Sequence, residues 1–148
     1  MTRLKDEIAN NTHIFFINKL PELLAFAGCH EDVLLSGHDF SEPKVSSTKK
    51  NSAETIIFRV DSARIMLDAV KDTLNSMNET ERKVIEYYYF NHLRIFEIAI
   101  RLNCSERLVS IYKNKALKNF APRFIAMQVK NGIDEKNIFD LTKTKEVA

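Results

Sequence analysis

The chain has 148 residues, 45% of them hydrophobic and 28% charged, a balance that fits a globular protein and excludes a fibrous or fully disordered one. Three Gly, three Pro and no Trp, against abundant Leu, Ile, Ala, Lys and Glu, favour an all-α fold. The net charge of +2 hides an uneven distribution: residues 1–78 hold 9 Lys+Arg against 11 Asp+Glu, 79–130 hold 10 against 5, and 131–148 hold 3 against 4. The positive excess is therefore confined to one segment, which is the electrostatic footprint of a polyanion binder.

The N-terminal segment, 1–36, reads as helical. Thr2 can cap a helix running to Asn18, with Asp6 and Glu7 near its positive end. Leu4, Ile8, Phe15 and Leu20 suggest an apolar stripe, weakened by Asn10-Asn11-Thr12. Pro21 either kinks this helix or starts a new one over Glu22 to Ala27, which Gly28 stops. Cys29, His30, Glu31, Asp32, His38 and Asp39 match no metal-ligand spacing and read as a polar loop, with no cofactor expected. Residues 37–52, GHDFSEPKVSSTKKNS, lose all periodicity and form a linker.

The helical period returns over 53–76. Ile56, Ile57, Val60, Ala63, Leu67, Val70 and Leu74 line one broad face. That face either packs on the apolar N-terminal segment or helps to build a homodimer.

A unit over 77–130 follows. Asn78 is placed as an N-cap with Glu81 three residues on, a variant of the capping box. Val84, Ile85, Tyr88 and Tyr89 give this helix its apolar face, and Asn91-His92-Leu93 turns the chain. Four consecutive aromatics, Tyr87 to Phe90, point in different directions on a helix, so they suit core packing better than a base-stacking platform. A short helix over Ile95 to Leu102 comes next, with Ala99 at the close approach of two crossing helices. Asn103 stands where a sharp turn needs a left-handed backbone. Cys104 fills a small gap beneath the turn and Ser105 caps a second helix.

That second helix has two faces. Val109, Tyr112, Ala116 and Phe120, with Leu108 and Leu117 beside them, are buried; Glu106, Arg107, Ser110, Lys113, Asn114 and Lys118 lie opposite. Hydrogen-bonding groups at the N-terminal end and cations further along are the layout of a recognition helix. Ser105, Glu106, Arg107, Ser110 and Asn114 are assigned to the major groove of double-stranded DNA, and Ile111 to a thymine methyl. Lys113, Lys115, Lys118, Arg94 and Arg101 are assigned to phosphates. Beyond Phe120, Pro122 interrupts the helix or begins a continuation, Phe124, Ile125 and Val129 keep an apolar face, and Gly132 ends it. The tail, 131–148, is expected to fray around one short helix.

Glu81-Arg82, Val84-Ile85, Tyr89-Phe90, Glu97-Ile98-Ala99, Leu102, Ser105, Val109 and Lys115-Ala116-Leu117 together resemble region 4 of bacterial sigma factors. The continuation Ala116 to Ala121, ending at Phe124, is similar to the ArpU-type phage transcriptional regulators, with a sigma region 4-like helix-turn-helix near the C-terminus. The resemblance implies a DNA-binding transcription regulator of phage or prophage genes. Two alternatives stay open: a sigma-like subunit acting with RNA polymerase, and a helix-turn-helix phage DNA-packaging or assembly protein. The residues by themselves reach only duplex DNA binding.

No Gly-rich phosphate loop, paired-Cys motif or nucleophile set occurs, and the four histidines are scattered, so no enzyme is expected. Two cysteines, Cys29 and Cys104, fit a reducing compartment. With no secretory signal and no long apolar run, a cytoplasmic location without membrane contact is expected.

Overall fold

The computed structural model describes residues 2–30, 34 and 52–143. The linker, apart from Ser52, lies outside the described residues, as do Glu31, Asp32, His38, Asp39 and 144–148. Among the described residues every regular element is helical.

The N-terminal segment is one rod in three parts: α1 (Thr2–Ile14), a π-helical turn (Phe15–Lys19) and α2 (Leu20–Ala27). The π turn is closed by Leu20 N–H donating to the Phe15 carbonyl, a bond to the fifth residue back. It comes immediately before Pro21, whose ring would otherwise crowd the preceding turn. Pro21 stands in the first turn of α2, where a missing N–H costs least, in keeping with its expected place at the start of a new helix. In a π turn successive side chains rotate through a smaller angle than in an α turn, so Phe15 and Phe16 are both buried, at 3% and 4% exposure. Gly28 ends α2 at φ +69°, with Gly28 N–H donating to Ala25 O and Cys29 N–H to Leu24 O.

α3 (Ser52–Ser76) lies between α2 and the long C-terminal helix, so the N-terminal segment covers it within one chain. Its buried face is wider than the predicted stripe: Met66, Ala69 and Thr73 join Ala63, Leu67, Val70 and Leu74. Thr73 is tolerated because its hydroxyl donates to Ala69 O at 2.7 Å.

α4 (Glu79–Ile85) begins at Asn78, whose side chain accepts from Glu81 N–H at 2.9 Å. A second π turn, Glu86–Phe90, follows and is closed by Asn91 N–H donating to Glu86 O. It buries the adjacent Tyr89 and Phe90 and leaves Tyr87 and Tyr88 half-buried. α5 (Ile95–Leu102) and α6 (Glu106–Lys130) complete the helices.

α6 is the mast of the molecule: α1, α3, α4 and α5 all pack on it. Its 25 residues span about 37 Å at 1.5 Å each. It runs unbroken through Pro122, which is exposed, so water can reach the Lys118 carbonyl that loses its N–H partner. Phe120, Ala121 and Phe124, all 0% exposed, hold the helix on both sides of the proline. Beyond it the buried face is Phe124 and Gln128, whereas Val129 is 61% exposed.

One core joins both halves of the chain, from Ala9 through Phe15, Leu67 and Tyr89 to Phe124 and Leu141. A smaller one under the α5–α6 turn holds Ile98, Ala99 and Val109. The tail was expected to fray; its described part, through Lys143, is tied down. Gln128, fully buried, donates from its amide to Phe139 O at 2.9 Å and accepts from Phe139 N–H at 2.8 Å. Asn11 donates to the Leu141 carbonyl at 3.1 Å and to that of Lys143, and Leu141 is buried.

Candidate nucleic-acid interface

α5, its turn and the start of α6 are held by backbone chemistry. Glu97 reaches back to accept from Arg94 N–H at 2.8 Å, closing the N-terminus of α5. Asn103 takes a left-handed conformation, φ 57° and ψ 51°. Asn103 N–H donates to Ile100 O and Cys104 N–H to Ala99 O, so the last carbonyls of α5 are satisfied by a Schellman turn. Two residues later Ser105 Oγ accepts from Leu108 N–H at 3.1 Å and opens α6. Ile98, Ala99 and Val109 fill the angle between the two helices, with Leu102 and Cys104 packed against them. This fixes the angle at which α6 is presented.

The first turns of α6 are open. Ser105, Glu106, Arg107, Ser110 and Lys115 are exposed, as is Ile111 at 46%. Arg94 and Arg101 are exposed on α5, and the Arg101 guanidinium lies 5.6 Å from the centre of the Tyr87 ring, a cation–π distance. Lys118 is half-buried.

Access falls off along this face. Ser110, Asn114 and Leu117 follow at i, i+4 and i+7 and so share one side of the helix. Ser110 is exposed, Asn114 is half-buried and Leu117 is buried. The cause is α1, which packs across α6 here. Glu7, Ala9, Asn10 and His13 of α1 form one wall of a groove of about 600 Å³, and Lys113, Asn114 and Leu117 form the other. Lys113 is thus half-buried, its ammonium 4.2 Å from the centre of the Tyr88 ring, instead of extending into solvent.

The electrostatics of this corner follow from burial. Desolvation lowers the pKa of Lys113. Burial, and then the nearby Lys113 charge, lower that of His13. Burial, with the neighbouring Tyr88, raises the Tyr89 phenol, which therefore keeps its proton at neutral pH. The 2.6 Å contact between His13 Nδ1 and Tyr89 Oη is thus a hydrogen bond between an imidazole and a protonated phenol, which engages Nδ1 and leaves Nε2 outside it.

Sequence periodicity did not single out Glu7, Asn10 or His13. The three-polar interruption Asn10-Asn11-Thr12 was the available signal, since polar residues in a helix otherwise bound for the core need partners. Each has a place: Asn10 borders the groove, Asn11 ties the tail, and Thr12, fully buried, donates to Ile8 O. His92, remote from His13 in sequence, lines a second groove with it, together with Tyr88 and Tyr89.

Among the described residues no cluster of His, Cys, Asp or Glu is arranged to hold a metal ion, and no helix is long and apolar enough to cross a membrane. Residues 67–120 match the family model of sigma-70, region 4. The match begins in α3 and ends at Phe120, so it contains α4, α5 and the exposed part of α6 and leaves α1 and α2 outside. This part of the chain is a sigma-70 region 4-like helix-turn-helix domain, a non-catalytic type consistent with DNA binding and transcription regulation. No curated protein and no solved structure matches the chain.

Proposed function

We propose that this protein is a sequence-specific regulator of transcription that binds double-stranded DNA. One observation carries the reading: α6 buries Val109, Ala116 and Phe120 while leaving Ser105, Glu106, Arg107, Ser110 and Ile111 open on a rigid mount. Arg107 and Ser110, with Ser105, Glu106 and Asn114, read base edges in the major groove, and Ile111 meets a thymine methyl. Lys113, Lys115, Lys118, Arg94 and Arg101 meet phosphates and set the register. The similarity of Ala116 to Phe124 to the ArpU-type regulators supports a role on phage or prophage genes, in the cytoplasm of a bacterial host.

Selection of bound fragments from a random duplex pool tests this. Enrichment of one sequence supports it, and an inverted repeat spaced by about one helical turn reports a homodimer. Arg107→Ala then costs about 1–3 kcal/mol and relaxes preference at one position, whereas Lys118→Ala weakens all duplexes alike and lowers the salt slope by about one. A pool with no enriched sequence, bound no more tightly than by an unrelated protein, overturns the reading. The match to sigma-70 region 4 favours a second one, a sigma-like subunit; retention on RNA polymerase core through purification, without independent duplex binding, selects it.

A further inference from the structure

The recognition face of α6 ends where α1 crosses it, and the residues at that corner carry a specific chemistry. Lys113 lines the α6 wall, its ammonium resting on the Tyr88 ring 4.2 Å from the centre, within reach of the opening by rotation of a flexible side chain. His13 faces it from α1, with Nδ1 engaged by Tyr89 and Nε2 outside that bond, a donor to an anion when it carries the ring proton. Asn10, exposed on α1, and Asn114, half-buried on α6, border the same opening. Four side chains from two helices that can donate hydrogen bonds thus border one groove of about 600 Å³. This is room for a tetrahedral oxyanion, and the groove adjoins the stripe carrying Ser110 and Asn114. Burial makes the Lys113 charge costly, so an anion beside it restores what desolvation removes. Glu7 is the one carboxylate among the groove residues, and its position limits where an anion can sit.

We propose that this corner between α1 and α6 is a seat for a backbone phosphate of duplex DNA, held by Lys113 from the recognition helix and by Asn10 and His13 from α1. The inference rests on the DNA-binding reading and adds to it. The helix-turn-helix match stops short of α1, yet α1 becomes part of the interface and extends the contacted backbone beyond the turns of α6 that reach base edges. A phosphate in this seat fixes the depth of α6 in the groove without reading sequence.

The test uses the full chain and a mixed-sequence duplex at low salt, read by fluorescence anisotropy. Asn10→Asp, on an exposed position, places a second carboxylate at the opening and is expected to weaken every duplex about tenfold, the loss of one charge-assisted hydrogen bond. Lys113→Gln lowers the slope of log affinity against log salt by about 0.9, one phosphate contact. Glu7→Gln tightens binding several-fold. In proton NMR of the wild-type chain the His13 ring resonances shift on adding duplex, and its pKa rises. Wild-type affinity and salt slope in both Asn10→Asp and Lys113→Gln, alongside a clear defect in Arg107→Ala, overturn the seat and leave the DNA-binding reading standing. No duplex binding by the wild-type chain overturns both. Saturation of the His13 shift by inorganic phosphate alone, with no further change when duplex is added, overturns the assignment to DNA in favour of a free anion.

Discussion

Phe16 and Tyr89 lie ring over ring, with centroids 4.7 Å apart and planes inclined by 20°. Each belongs to a π turn, Phe15–Lys19 in one case and Glu86–Phe90 in the other. Each turn places two neighbouring aromatics in the core, and the four rings meet between the N-terminal segment and the helix-turn-helix unit. Phe16 also meets Phe90 edge-on at 6.1 Å, and Phe120 at 4.9 Å. The N-terminal segment thus packs as a structural part of the helix-turn-helix unit. Phe16→Ala is expected to cost about 3–5 kcal/mol, the range for deleting a fully packed aromatic. Urea unfolding followed by far-ultraviolet circular dichroism and by tyrosine fluorescence should give coincident transitions in wild type and variant, since one core spans both halves. Two separated transitions would show that the halves fold independently.

The tail offers a second prediction. Gln128 is fully buried and meets both backbone groups of Phe139. Gln128→Leu keeps the volume and removes both bonds, leaving an N–H and a carbonyl without their partner. Each costs about 1–3 kcal/mol if it stays buried, so the segment is expected to detach instead. Hydrogen exchange at 133–141 should rise to the rate of an unprotected chain, with little change in α5. Leu141 and the Lys19–Phe139 contact, 5.1 Å from ammonium to ring centre, would be lost with it. Retained protection in this variant would mean that apolar burial of Leu141 alone holds the tail.

His13 gives the molecule an acid-sensitive contact. Its pKa is lowered by burial first and by Lys113 second, from an ordinary value of 6.5. The folded state therefore holds fewer protons than the unfolded chain as pH falls through that value. The contribution is complete above about pH 6.5 and is lost as pH drops through the lower folded value. The groups around the ring are Glu7 and Lys113 in one groove and Tyr88, Tyr89, His92 and Arg94 in the other. His13→Gln keeps a polar partner for the Tyr89 hydroxyl, able to donate or accept, and removes the titration. The midpoint of thermal unfolding should fall less steeply on acidification in this variant than in wild type. Parallel curves would assign the acid sensitivity to other groups.

Much of this was readable from residue types at helix ends. Asn78, Asn103, Ser105, Gly28 and Gly132 act where their backbone and side-chain chemistry placed them, because a cap is decided within four or five residues. The assigned interface residues divide more unevenly. Arg107 and Ser110 stand open, whereas Lys113 and Asn114 meet α1, since exposure depends on a helix more than ninety positions away in the chain. The π turns were illegible for a related reason. Counting apolar residues at 3.6 per turn presumes a constant phase, and one wide turn resets it, so Phe16 joins Phe15 in the core, and Phe90 rather than Tyr88 is buried beside Tyr89. The polar clamps made by Gln128 and Asn11 escaped because a hydrophobic pattern carries no information about which amide will meet which backbone group.

The left-handed Asn103 is the most local test of the recognition geometry. At φ 57° an L side chain is strained, Asn less than most, and a glycine is not strained at all. Asn103→Gly is expected to leave stability within about 0.5 kcal/mol, the relief of strain offsetting the greater freedom of the unfolded chain. Asn103→Val, β-branched at a position that cannot move without breaking the bonds to Ile100 O and Ala99 O, should cost about 2 kcal/mol. If the turn sets the presentation of α6, Asn103→Val should also lower duplex affinity at temperatures where the variant remains folded by circular dichroism. Arg107 would then no longer sit at its groove depth, and the preference at its base position should weaken together with the affinity. Loss of stability with affinity and preference unchanged would separate the turn from recognition and leave Val109 and Ile98, packed beneath it, as the elements that hold α6 in place.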